Sequence, residues 1–270
     1  MSFNKILNVQ LIIYNKLLRI LNFLKILPKK KKKKIDLKIK LEKMDKYFKS
    51  LNLIHNDTYC RVDPIPSENF FSEYYSSNVW EDFKLKQLPI RKRDLEHYDL
   101  IKKLYDEFKK SKINILNFGS GHAGFSILCS LNDHKVTNLD YFINQDIVNY
   151  KNIRNITDIK IIKEKFDLIY ASHSLEHVRN IRKTFEMFSS FSHNNTKIFF
   201  EVPNCYNEKK KRIHSPHTYY FTRSFFNNLL PDNKYCETWK NSEKSNDEQG
   251  DVIRVFGDLN LDYDFDNKIN

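Results

Sequence analysis

Three of the five glycines in this 270-residue chain fall within six positions, Gly119-Ser120-Gly121-His122-Ala123-Gly124. Glycine allows backbone angles and close approaches that a Cβ forbids. The run sits between an apolar stretch, Ile113–Phe118, and a helical pattern carried by Phe125, Ile127, Leu128 and Leu131. A strand, a glycine-rich turn and a helix N-terminus together make a site for a nucleotide or a relative of one. A second strand, Val136–Leu139, ends at Asp140, where a carboxylate can accept hydrogen bonds from both ribose hydroxyls. Four histidines supply proton chemistry: His173 and His177 in Ser172–Val178, and His214 and His217 in His214–Phe221. Histidine is the usual group for removing a proton from a hydroxyl nucleophile near neutral pH. His217 is the first candidate base and His177 the second. His173, Glu176 and His177 also spell the H-x-x-E-H zinc-protease pattern, with Glu176 as base. That pattern needs one helix through all five residues, and here it starts at a strand end, so no metal is expected.

These groups need a scaffold that gathers them. Phe166–Tyr170 and Thr196–Val202 read as buried strands, and Ile181, Phe185, Phe188 and Phe191 mark a helix between them. Strands alternating with helices imply a parallel sheet covered on both faces. The carboxyl ends of such strands face one crevice, which would gather Gly119–Gly121, Asp140, Ser172–His173 and Pro203–Asn204. A helix is expected from about Arg91 to Lys110, with Leu95, Leu100, Ile101, Leu104, Tyr105 and Phe108 on one side. Val252–Phe256 and Leu259–Phe265 read as closing strands. The aromatic group Phe70, Phe71, Tyr74, Tyr75, Trp80 and Phe83 reads as packing, with Tyr74 and Tyr75 able to close over a ligand.

The chain carries 46 basic and 34 acidic residues, and the excess is confined to one end. Residues 1–49 hold 15 Lys/Arg and three acids, whereas residues 50–270 hold 31 of each. The main body therefore lacks the positive charge that nucleic-acid phosphates require. Phe3–Leu27 contains neither Gly nor Pro and reads as an amphipathic helix, closed by Pro28 and the lysines Lys29–Lys34. Four cations and five Asn/Gln make it too polar to span a bilayer. An apolar face beside a lysine run suits an anionic membrane surface. Packing on its own domain or in a dimer is the next reading, and a nucleic-acid arm or organelle-targeting peptide the last. Residues 35–89 then read as a partly helical linker with an aromatic lid, and residues 90–270 as the catalytic domain. Cys60, Cys129, Cys205 and Cys236 are too scattered for a disulfide framework, which suits a cytoplasmic setting.

In order and spacing, NFGSGHAGFS, TNLDYF, FDLIYASHSLEHV, IFFEVPN and SPHTYYFTRSFFNNLL resemble the class I S-adenosylmethionine-dependent methyltransferases, within them the small-molecule and sugar branch. The resemblance covers about residues 90–257. It implies an α/β, Rossmann-like, doubly wound and mostly parallel sheet, here with an N-terminal helical extension. It implies that S-adenosylmethionine is the cofactor, with Gly119, Ser120 and Gly121 beside its methionine part. It further implies that Asp140 holds the ribose, Tyr141 lies beside the adenine, and Ser172 and His173 flank the sulfonium. Asn117 stands where the family usually has an acid, toward the cofactor's ammonium. The family's third glycine falls on Ala123; Gly119, Gly121 and Gly124 instead spell the dinucleotide form, which keeps an NAD(P) oxidoreductase as an alternative. Asn204, His214, Tyr219 and Tyr74 are the expected acceptor contacts. The basic run Lys209–Arg212 could attract a phosphate on the acceptor. The acceptor implied is a sugar, sugar nucleotide or lipid-linked glycan. A membrane quinone or phenol is the next choice, and a non-catalytic binding module is the alternative from another class.

Overall fold

The computed structural model describes residues 42–76, 90–141, 150–204, 216–230, 233–240, 243–244 and 251–259. The amphipathic segment, the lysine run, Trp80, Phe83, Lys209–Arg212 and His214 lie outside the described residues.

A central sheet of eight strands organises the described chain. Five of them run parallel: β3 (Asn114–Phe118), β4 (Lys135–Leu139), β5 (Ile153–Ile156), β6 (Phe166–Ser172) and β7 (Ser192–Pro203). Three antiparallel neighbours, β9 (Asn233–Lys240), β10 (Glu243–Lys244) and β11 (Val252–Asp258), complete one edge. The spatial order is β10-β9-β11-β7-β6-β3-β4-β5. The chain winds outward from β3 to β5, then returns to place β6 on the other side of β3. The order thus reverses between β3 and β6, the position where open α/β sheets bind ligands at their strands' carboxyl ends.

Period-two alternation along the strands builds two cores, one on each face. On β7, Ile198, Phe200 and Val202 enter one apolar cluster and Phe199 enters the other. On β6, Ile169 and Ala171 face the first and Leu168 and Tyr170 the second. The first face is covered by helices α5 (Ile181–Ser190) and α6 (Arg223–Leu229), through Phe185, Phe188 and Phe226. The second is covered by α2 (Lys92–Leu104), α3 (Asp106–Lys110) and α4 (Gly124–Leu131), through Ile101, Phe108 and Phe125. The doubly wound, mostly parallel α/β class expected from the sequence is therefore the observed one.

Several boundaries differ from the sequence reading. The helix expected over Arg91–Lys110 is two helices, because Tyr105 adopts an extended conformation (φ −127°, ψ 105°) between them. Residues 42–49 are helical, but Leu53, read as helical linker, lies in strand β1 (Asn52–His55), which pairs with β2 (Tyr59–Asp63). β2 in turn pairs with β8 (Tyr219–Phe221), forming a second sheet. Residues 52–63, read as part of a linker, thus join Tyr219–Phe221 by backbone hydrogen bonds. Val252–Asp258 pairs antiparallel with both β7 and β9, whereas Leu259 lies outside any strand and residues 260–265 lie outside the described residues. Phe70, Phe71, Tyr74 and Tyr75 all ride on helix α1 (Glu68–Ser76).

Candidate active site

At the exit of β3 the backbone takes three left-handed conformations within five residues, at Gly119 (φ +67°), Gly121 (φ +50°) and Ala123 (φ +56°). Gly119 is required twice over. Besides its angle, a Cβ there would meet Ser174 Cβ at 2.4 Å. Its N–H donates to Leu139 O at 2.8 Å, tying the turn to the end of β4. Gly121 has open space around it, and its N–H donates to Asp140 Oδ2 at 2.7 Å. The glycine turn and the carboxylate thus meet directly.

Between them lies a cavity of about 810 Å³, within the size range of small-ligand sites. Its wall includes Phe118, Gly119, Gly121, Asp140, Tyr141, His173, Ser174, His177 and Tyr75. Met187 and Lys183 of α5 close one side, and Thr157, Asp158 and Ile159 beyond β5 another. Tyr141 is half exposed and stacks on Tyr75 at 5.5 Å between ring centroids with the planes 3° apart. Its hydroxyl donates to Glu68 Oε1 at 3.2 Å, linking α1 to the cavity rim.

Under the wall is a buried polar network that the sequence reading missed. Glu201 of β7 accepts from His97 Nε2 at 2.7 Å and from Arg254 Nε at 2.7 Å. His173 Nε2 lies 3.1 Å from its other oxygen, and Arg93 Nε 3.6 Å. Burial alone would raise the Glu201 pKa, but His97 and His173 hold it well below the usual carboxylate range. An ionised Glu201 only accepts, so His97 Nε2 carries the proton and its Nδ1 accepts from the Tyr170 hydroxyl at 2.8 Å. Burial agrees with both assignments, pushing the His97 pKa down and that of Tyr170 well up. One signal was available: Glu201 is the lone charge in the apolar run IFFEVP, and a buried carboxylate needs partners.

His173 has positive φ (+51°) and bridges two acids, with Nδ1 3.4 Å from Glu176 Oε1. Burial opposes its charge, yet the Glu176 and Glu201 carboxylates beside it raise its pKa above the ordinary histidine value. His177 follows in the 3₁₀ turn Leu175–His177, so His173 and His177 share no helix. Burial lowers the His177 pKa. Its ring stands 4.9 Å from that of His217, nearly perpendicular to it.

The remaining expected residues divide. Gly119, Gly121, Asp140, Tyr141, His173 and His177 line the cavity, and Ser120, Asn117, Ser172, Asn204, Tyr219, Tyr74 and His217 do not. Asn117 is buried and donates through Nδ2 to Ser126 Oγ at 2.7 Å, inside a chain of amides and hydroxyls that continues to Asn138. Ser172 Oγ turns to Glu201 (3.4 Å), and Ser174, one residue past His173, reaches the wall in its place. Tyr219 is buried, with its hydroxyl at Arg179 O and Ile181 N (both 3.4 Å). Asn204 is buried where β7 bridges to Phe221. Tyr74 stacks on Phe70, and Tyr75 is the tyrosine that faces the cavity.

Residues 90–234 match the family model described as a methyltransferase domain. The chain belongs to this methyltransferase family. Its cofactor is S-adenosylmethionine, and its activity is methyl transfer. The 1,6-didemethyltoxoflavin-N1-methyltransferase of Burkholderia thailandensis, solved with bound 1,6-didemethyltoxoflavin and S-adenosylhomocysteine, has the same fold (TM-score 0.55, 11% identity, 77% of this chain and 98% of that one). Two further structures align less well. They are a SAM-dependent methyltransferase from Aquifex aeolicus (TM-score 0.45, 13% identity, 67% of this chain and 97% of that one) and the PH0226 protein of Pyrococcus horikoshii (TM-score 0.47, 13% identity, 69% and 98%). No curated protein sequence matches the chain. The cavity wall fits the cofactor's chemistry, with a carboxylate for hydroxyls, bare backbone at the glycine turn and an aromatic ring at the rim. Among the described residues no helix is long and apolar enough to cross a membrane.

Proposed function

We propose that this methyltransferase acts on a hydroxyl of a small-molecule or glycan acceptor: a sugar, a sugar nucleotide or a lipid-linked saccharide. One observation carries the reading: a single cavity joins the glycine turn and Asp140 to His177, with His217 behind it. In this account the Asp140 carboxylate, oriented by Gly121, holds the ribose. Tyr141 and Tyr75 cover the adenine, and His173 with Ser174 borders the sulfonium. S-adenosylmethionine supplies an electrophilic methyl on sulfur. The acceptor oxygen attacks in line; its bond to the methyl carbon forms as the carbon–sulfur bond breaks, and that electron pair stays on sulfur. The protein's main contribution is to hold the two reactants together, an effect worth up to roughly 7–11 kcal/mol in intramolecular systems. In this reading His177 on the cavity wall, with His217 behind it, activates the acceptor hydroxyl. The balanced charge of residues 50–270 argues against a nucleic-acid acceptor.

The test is transfer of label from methyl-labelled S-adenosylmethionine to a panel of sugar nucleotides, lipid-linked saccharides and membrane phenols. Label in a saccharide supports the proposal. Label confined to the phenols, with saccharides inert, would move the acceptor class to quinol-type lipids.

A contact of residues 1–34 with anionic membrane belongs to the same proposal. The amphipathic face followed by Lys29–Lys34 would hold the enzyme where a lipid-linked acceptor resides.

A further inference from the structure

Glu176 is 1% exposed, and neither of its carboxylate oxygens accepts a hydrogen bond. The groups nearest to it are imidazoles. His177 Nε2 stands 3.7 Å from Oε1 and His173 Nδ1 3.4 Å. The carboxylate, a His177 nitrogen and a His217 nitrogen all lie within 4.8 Å of one another. His177 is oriented by a contact on its far side, where Nδ1 lies 3.3 Å from Pro216 O. A carbonyl only accepts, so Nδ1 carries the proton there and Nε2 presents its lone pair toward Glu176. A lone pair and a carboxylate thus face each other without a proton between them.

The arrangement is held from outside the cluster. Thr218 N donates to Glu176 O at 2.6 Å, so the 3₁₀ turn and the segment Pro216–Thr218 are joined on both sides of His217. His173 stands outside this cluster, its ring set between Glu176 and Glu201.

We propose that Glu176, His177 and His217 bind a divalent first-row transition-metal ion. Two imidazoles and one carboxylate are the donor set that Zn²⁺, Co²⁺ or Fe²⁺ takes. Tetrahedral ligands about 2.0–2.1 Å from such an ion lie roughly 3.4 Å apart, close to the 3.7 Å between His177 Nε2 and Glu176 Oε1. The backbone-oriented far nitrogen of His177 is the outer support that metal-bound histidines commonly have. The proposal deepens the reading above and rests on it for its consequence. Three protein ligands leave at least one position open, and His177 belongs to the cavity wall. The acceptor class is therefore one that binds through oxygen, such as a saccharide with adjacent hydroxyls. The ion lowers the pKa of the bound hydroxyl, whose proton leaves to solvent water before the oxygen takes the methyl.

The experiment uses the untagged full-length chain, stripped with a chelator and titrated with Co²⁺. Its visible absorption reports imidazole and carboxylate ligation without any turnover. One equivalent with tetrahedral-type bands is expected. Glu176→Gln and His217→Ala should each weaken binding by more than the roughly 10–100-fold that loss of an outer partner costs. His193→Ala, at the opposite end of β7, should bind as wild type, and Asp140→Ala should lose S-adenosylhomocysteine yet keep cobalt. Circular dichroism confirms that each variant is folded, and retained S-adenosylhomocysteine binding confirms it for the Glu176, His217 and His193 variants. No cobalt on the wild-type chain at stoichiometric concentration overturns the site, as does undiminished binding in both ligand variants. Cobalt binding without S-adenosylhomocysteine binding would instead count against the cofactor assignment alone.

Discussion

The Gly121 N–H donates to Asp140 Oδ2 at 2.7 Å, so a turn after the first parallel strand and an acid after the second form one wall. The hydrogen bond does two things. It fixes the carboxylate's rotamer before any ligand arrives, and it makes the position of Asp140 depend on a backbone conformation, φ +50°, that most side chains avoid. Pre-orientation of this kind reduces the ordering cost of binding.

The two glycines of this wall should respond differently to alanine. At Gly121 the new Cβ meets nothing, and the cost is the left-handed conformation alone, about 1–2 kcal/mol. At Gly119 the same strain is joined by a 2.4 Å encounter with Ser174 Cβ. Chemical denaturation should therefore rank Gly119→Ala well below Gly121→Ala in stability. Equal losses would show that the turn relaxes freely.

Glu201 is the counter-ion of a buried cluster, and removing one partner of such a cluster costs about 3–5 kcal/mol. Glu201→Ala removes the acceptor of His97 Nε2 and of Arg254 Nε, leaving the 3% exposed Arg254 its contact with Glu96. A loss of that size in urea unfolding is the expected result. A loss under about 1 kcal/mol, the level of an exposed pair, would mean the network is solvated.

The same residue sets an acid limit. Its folded pKa lies well below the ordinary 4.5, with His97, His173, Arg93 and Arg254 facing it. A depressed carboxylate contributes stability that is present above the unfolded pKa and lost as pH falls through the folded one. Wild-type stability should thus decline as pH drops below about 4.5, and Glu201→Gln should show a shallower slope in that window. Parallel slopes would remove Glu201 as the source.

The sequence located most of this sheet because its strands are apolar runs ended by chemistry-bearing residues: Phe118 before Gly119, Leu139 before Asp140. It failed where the pattern is carried by pairing and not by composition. Asn52–His55 and Tyr59–Asp63 are short and polar, and become strands through their partner Tyr219–Phe221. The candidate site divides the same way. Asp140 and His177 follow from their place at strand ends, whereas the role of Glu201 depends on His97, 104 residues earlier. Asn117, read as a cofactor contact, is taken by Ser126 because the interior of β3 faces α4.

For the N-terminal segment, full-length protein should pellet with anionic liposomes, and a chain lacking residues 1–34 should remain in the supernatant. Each lysine near such a surface contributes about 1 kcal/mol, so raising the salt should weaken pelleting markedly. Equal pelleting by the truncated chain would place the contact elsewhere.

The most direct measurement is calorimetric titration of S-adenosylhomocysteine into wild type and Asp140→Ala. Hydrogen bonds to a charged group contribute roughly 1.5–3 kcal/mol each, so the variant should bind at least about tenfold more weakly while remaining folded. Affinity unchanged by that substitution would mean that the cofactor lies somewhere other than between Gly121 and Asp140.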